Sequence, residues 1–151
     1  MGDEQEKYKG LTRAEILDRA EAGDRDVLPA LQILLRETPG AIEELGSMSI
    51  TARDALLKKC SGGSVPRQEA QSLFVQEMVA EIAGPNPSTL EKLLAEQVGL
   101  CWLQLRLLET VYAQLGEHSA SWGSYTQRCI DRAHARYLKT IRMLANVRNI
   151  R

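Results

Sequence analysis

The chain has 151 residues, of which 44% are apolar and 26% charged, and a formal charge of −1. That is one domain's worth of chain, long enough for a real core, with the make-up of an ordinary globular protein. No apolar run reaches the roughly eighteen residues that would suggest a membrane-spanning helix.

Aromatic residues are sparse, with one Phe, four Tyr and two Trp. Leu, Ala and Glu dominate, which favours helices over sheets. The opening Met1-Gly-Asp-Glu-Gln-Glu-Lys7 is charged and has no apolar signal region, so a cytoplasmic location is expected. Glu6 stands where a myristoylation signal needs Ser or Thr. Three cysteines without a secretory signal read as reduced packing thiols.

Residues 1–10 read as a flexible polar tail and residues 11–151 as a single helical domain. Thr12-Arg-Ala-Glu15 is a capping box that starts a short helix ending near Gly23. A second helix begins between Asp24 and Pro29 and runs to Thr38, with Leu28, Leu31, Leu34 and Leu35 apolar. Pro39-Gly40 stops it, and Ala41–Leu45 is a short helical turn. Ser49–Lys59 is a further helix, with Ile50, Leu56 and Leu57 inward. Cys60-Ser-Gly-Gly-Ser64 is the clearest break in the chain. Pro66 suits a first helical turn and opens a helix to Ala83, with Leu73, Phe74, Met78, Val79 and Ile82 apolar.

Residues 88–151 read as a long helical hairpin that organises the rest. Gly84-Pro-Asn-Pro87 breaks the chain, and Ser88-Thr-Leu-Glu91 is a capping box. Nothing stops the helix before Gly116, so it extends about 40 Å at ~1.5 Å per residue. Leu94, Val98, Cys101, Leu105, Leu108, Tyr112 and Leu115 alternate four and three apart, which is a heptad seam. Leu93, Leu100, Leu103, Leu107 and Val111 form a second apolar set well away from it. A helix sealed on one side does not need both. It either sits centrally in a bundle or gives the second set to an oligomer or partner interface. Gly99 costs roughly 1 kcal/mol relative to Ala in a helix and marks a close approach.

A turn is expected over Gly116–Ser124. Ser124-Tyr-Thr-Gln127 is a capping box for the last helix, whose apolar face is Ile130, Ala133, Tyr137, Ile141 and Leu144. Arg128, Arg132, Arg136, Lys139 and Arg142 share the opposite side within roughly 120°. From Thr126 to Arg151 the charge is +6, against −7 for the rest of the chain. Asp131 is the one acid in that stretch, whereas an exposed helix usually intersperses Glu. Such a row of cations suits a polyanion, each contact releasing condensed counterions. Aromatics for base stacking are limited to Tyr125 and Tyr137, so backbone contacts should outweigh base contacts.

Catalytic and metal constellations are weak. His118 and His134 are far apart, and no Cys pair has ligand spacing, so no metal or other cofactor is expected. Gly62-Gly63 lacks the Gly-Lys-Ser/Thr ending of a phosphate loop. Cys129 and His134 point apart on one helix. Cys101 and Cys129 are offset by about 14 Å along the hairpin, too far for a disulfide.

Arg128-Cys-Ile-Asp-Arg-Ala-His134 resembles the Arg, four to six residues, His spacing of the HEPN ribonucleases, small all-helical proteins. The resemblance implies a phosphate-clamping Arg128 and an acid/base His134 in a dimer cleft. Cys129 departs from the polar residue usual after that Arg.

A wider resemblance rests on Ala22-Gly-Asp24 with Val27-Leu-Pro29, Gly84-Pro-Asn-Pro-Ser88 with Cys101-Trp-Leu103 and Tyr112-Ala113, and Arg132-Ala-His-Ala-Arg-Tyr-Leu138 with Leu144-Ala145 and Val147-Arg148. These stretches resemble small all-helical bacterial proteins found near phage and other mobile elements. That implies an accessory role connected with DNA or RNA, and carries over no site residue.

The fold expected is all-α, a bundle of six or seven helices dominated by the C-terminal antiparallel hairpin. The function expected is a non-catalytic accessory protein. It would self-associate and present Arg128, Arg132, Arg136, Lys139 and Arg142 to the nucleic-acid backbone, with several copies adding by avidity. The alternatives are a protein-interaction adaptor, using Leu103, Leu107 and Val111 with an exposed tryptophan as anchor, and the ribonuclease.

Overall fold

The structure, a computed structural model, describes residues 10–114 and 120–150. Among them are seven α-helices and no strand: α1 Arg13–Glu21, α2 Leu28–Glu37, α3 Ala41–Gly46, α4 Met48–Cys60, α5 Val65–Ala83, α6 Thr89–Gln114 and α7 Ala120–Asn149. A 3₁₀ turn, Arg25–Val27, precedes α2. The all-α fold with a long C-terminal helix pair is therefore present. The expected tail lies outside the described residues apart from Gly10. The chain divides into two compact units, one ending at Ser47 and one starting at Met48.

The first unit holds α1 to α3. The Thr12 capping box forms: Thr12 N–H donates to Glu15 Oε2 at 2.7 Å, and Glu15 N–H to Thr12 Oγ1 at 3.3 Å. Asp24 caps the 3₁₀ turn by accepting from Asp26 N–H at 2.9 Å, and pairs with Arg19 at 2.6 Å. These contacts set the corner that brings α1 onto α2. Ile16, Val27 and Ala30 are buried there, under Leu11, Ala20, Leu31 and Leu34.

The second unit holds α4 to α7, with α6 packed against all three others. Both apolar faces of α6 are thereby used. On one, Val98, Cys101 and Leu105 are buried, and Cys101 Sγ lies 4.0 Å from Thr140 Oγ1 of α7. On the other, Leu103 is 3% exposed and packs with Leu57 of α4 and Val75 of α5. Gly99 is the close approach that its cost implies. A Cβ there would stand 2.6 Å from Val79 Cγ2 on α5.

The connections follow the sequence signals. Gly62 and Gly63 take φ of +61° and +84°, left-handed values that Gly adopts without a Cβ penalty, and so reverse the chain between α4 and α5. The Ser88 box opens α6. Ser88 N–H and Oγ–H donate to Glu91 Oε2 at 2.8 and 2.6 Å, and Glu91 N–H donates back to Ser88 Oγ at 3.3 Å.

Glu91 is also 4% exposed, a buried carboxylate that needs further partners. Arg148, at the end of α7, supplies one at 3.7 Å. The same guanidinium donates to the Ile82 carbonyl and, at 2.9 Å, to the Ala83 carbonyl, both in the last turn of α5. A cation at carbonyls left unpaired by the helix end is favourable. One side chain thus ties the ends of α5 and α7 to the start of α6.

Candidate nucleic-acid interface

The two long helices run antiparallel. Contacts pair Gln104 with Arg136, Cys101 with Thr140, and Glu91 with Arg148, so residues descend α6 as they ascend α7. The line of α7 that is buried is Thr126, Ala133, Thr140 and Leu144. Ile130 and Tyr137 flank it half-buried, while Ile141, expected inward, is exposed. The expected face is thus rotated by a fraction of a turn. Thr140 can enter the seam because its hydroxyl donates to the Arg136 carbonyl at 2.9 Å, which satisfies the polar group inside the helix itself.

That phase fixes where the basic residues go. Arg128, Arg132, Arg136, Lys139 and Arg142 are all exposed. They occupy one arc of roughly 120° and span about 21 Å of helix. None forms an ion pair with a described carboxylate of its own unit. Arg136 Nη2 donates to Gln104 Oε1 at 3.3 Å, a neutral partner that leaves its charge uncompensated. Arg148 is different in kind: it is a structural clamp and does not belong to the stripe. The charge that α7 can offer is accordingly carried by these five residues.

The start of α7 departs from expectation. Part of the anticipated turn, residues 116–119, lies outside the described residues, as do Leu115 and His118. From Ala120 the chain is already helical, so Ser124 is interior and its capping box does not set the start. Thr126 is buried and donates to the Trp122 carbonyl at 3.0 Å, a bond that exists because that turn is helical.

The longer helix brings two aromatics to the head of the stripe. Trp122 and Tyr125, three apart, stack with ring centroids 5.7 Å apart and planes 23° apart. They are 48% and 53% exposed. By helical geometry Tyr125 falls on the arc of the arginines, about one turn before Arg128 and two before Arg132. The expectation of few stacking aromatics missed Trp122, because it assigned that residue to the turn. The i, i+3 spacing of the pair was the available signal.

The second apolar set of α6 is divided. Leu103 is a core residue of its own chain, covered by Leu57 and Val75, and is closed to any partner. Leu100 and Leu107 are half-buried. Leu93 and Val111 remain exposed, at 57% and 39%. Eighteen positions separate them, about 27 Å along the helix. The five residues therefore do not make one continuous patch for another chain.

Arg128 and His134 are both exposed on α7, roughly 120° apart around it, so they do not converge within the chain. Burial pushes the Cys60 thiol up, towards its unreactive neutral form. Among the described residues no group of three His, Cys, Asp or Glu is gathered that could hold a metal ion. No described helix is long and apolar enough to cross a membrane. Compared with known proteins, the chain matches no family model, no curated protein sequence and no solved structure.

Proposed function

We propose that the outer face of α7 binds nucleic acid through its backbone, with Arg128, Arg132, Arg136, Lys139 and Arg142 as the phosphate contacts. The observation that carries this reading is the stripe's exposure and lack of compensation. Five cations lie on one arc of a helix whose other side is committed to the core. A merely solvated helix face gains a few tenths of a kcal/mol per i,i+4 ion pair by interspersing carboxylates, and this face forgoes them.

The Trp122–Tyr125 pair sharpens the reading towards single strands. An unpaired base can stack on an exposed aromatic while the strand continues along the cations, and a duplex cannot offer its bases this way. Binding should then be tolerant of sequence and steep in salt. Self-association would multiply the stripe by avidity, and molar mass by light scattering with and without nuclease reads that directly.

The test is charge reversal. With Arg132→Glu and Arg136→Glu together, affinity for a fluorescein-labelled single-stranded oligonucleotide at 0.1 M salt should fall by more than about twentyfold. The circular dichroism spectrum should not change, because both residues are exposed. Unchanged affinity in the folded double variant removes the stripe as the site.

A further inference from the structure

One side of α6 stays partly open to solvent and borders the stripe. By helical phase Leu93, Gln97, Leu100, Gln104, Leu107 and Val111 fall within about 80° of its circumference. On one flank of that arc is the side turned to α4, where Leu103 packs on Leu57 and Glu96 accepts from Ser49. On the other is the side turned to α7, where Cys101 meets Thr140. Leu93, Gln97 and Val111 are exposed, and Leu100, Gln104 and Leu107 are half-buried.

The stripe leans towards this face. Its middle stands about 120° around α7 from the buried line of Thr126, Ala133, Thr140 and Leu144, so it does not point directly away from α6. The hydrogen bond from Arg136 to Gln104 identifies the side to which it leans. Cations of α7 and the open arc of α6 therefore border the same groove along the helix pair. The floor of that groove carries no acid. The three carboxylates of α6, Glu91, Glu96 and Glu109, lie outside the arc and are engaged with Arg148, Ser49 and Arg106. A cationic wall beside an acid-free apolar floor is complementary to a polyanion that also has apolar surface to cover.

We infer that this floor receives the bases of a single strand whose phosphates lie on the stripe, an inference that rests on the function proposed above. Every base has an apolar face, and Leu100 and Leu107 supply the surface to cover it. They stand about 10 Å apart along the helix, the rise of roughly three bases stacked at ~3.4 Å each. Gln104 accepts from Arg136 through its oxygen, and its NH₂ group can donate to a base edge. A partner helix needs a continuous apolar seam, which Gln97 and Gln104 interrupt. A row of separate bases does not.

Two fluorescein-labelled oligonucleotides of equal length and phosphate count separate floor from stripe, one of thymidine and one abasic at every position. In anisotropy at 0.1 M salt the wild type should bind the thymidine strand about tenfold or more tighter. Leu100→Ala with Leu107→Ala should cut that preference below about threefold, the remainder belonging to Trp122 and Tyr125. In the wild type, nuclear Overhauser contacts should join bound thymine protons to the methyls of both leucines, assigned from Leu100→Met and Leu107→Met. That reading needs no double variant and decides the matter should circular dichroism show the double variant unfolded. Equal affinity for the two strands, a preference that the folded double variant leaves unchanged, or thymine contacts absent from both leucines would overturn the inference and leave the stripe standing. Binding of neither strand would remove the stripe and this inference with it. A poly-glutamate of equal charge that binds as tightly as the thymidine strand would overturn it in favour of an acidic protein.

Discussion

α6 and α7 are the two longest helices and pack along one another, yet they are built for opposite surroundings. α6 is apolar on two faces and uses both, one against α7 and one against α4 and α5. α7 uses one narrow line of Thr126, Ala133, Thr140 and Leu144, and leaves most of its circumference to solvent. The central helix spends its sequence on stability. The peripheral helix needs few residues for packing, so its outer arc is free to carry charge for a ligand. Substitutions on the two helices should therefore differ in kind: those on α6 should unfold the protein, and those on the α7 arc should change binding alone.

The largest stability effect belongs to Leu103→Ala. It opens a cavity beside Leu57 and Val75 and should cost about 2–5 kcal/mol by urea denaturation. Gly99→Ala follows. Helix propensity alone says it should stabilise by roughly 1 kcal/mol. The 2.6 Å approach of Val79, a stiff β-branched side chain, reverses the sign and makes a net loss of about 1–3 kcal/mol the expected outcome. Arg148→Ala unties Glu91 and the last turn of α5 and should cost about 1–2 kcal/mol, which separates it from the stripe despite its shared helix. Arg132→Ala should stay within about 0.5 kcal/mol of wild type, as an exposed residue without an ion pair.

The smallest effect lies in the first unit and depends on pH. The Thr12 backbone N–H, then its hydroxyl, hold the Glu15 carboxyl below its usual range. The carboxyl's pKa is thus lower folded than unfolded. The cap's contribution is present above the unfolded value and fades as pH falls through the folded one. Amide signals of α1 should report this fading at acid pH, and Thr12→Ala should remove it.

Much of this was legible in the residues. Two capping boxes, at Thr12 and Ser88, form with the hydrogen bonds their spacing requires. The 3.5-residue repeat gives α6 its seam at Val98, Cys101 and Leu105, whereas Tyr112, at the same spacing, is exposed, and the cost of Gly99 gives the close approach. What the residues did not reveal was phase and context. Thr140 displaced Ile141 from the buried line because a hydroxyl can satisfy itself on its own helix, which a hydrophobic pattern does not register. α7 is already helical at Ala120, so the plausible cap at Ser124 lies inside the helix. Trp122 was lost from the site by the same shift. The destination of the second α6 face was undecidable in one sequence, since Leu103 serves a core or an interface equally well by composition.

The most direct test of the account is the salt dependence of single-strand binding in the folded wild type and in variants losing one or two stripe charges to Gln. Five phosphate contacts predict a slope of log K against log salt of about −3.5, shrinking by ~0.7 for each cation removed. A slope near zero, or one that Arg132→Gln with Arg136→Gln leaves unchanged, would contradict a face of α7 held open for a polyanion.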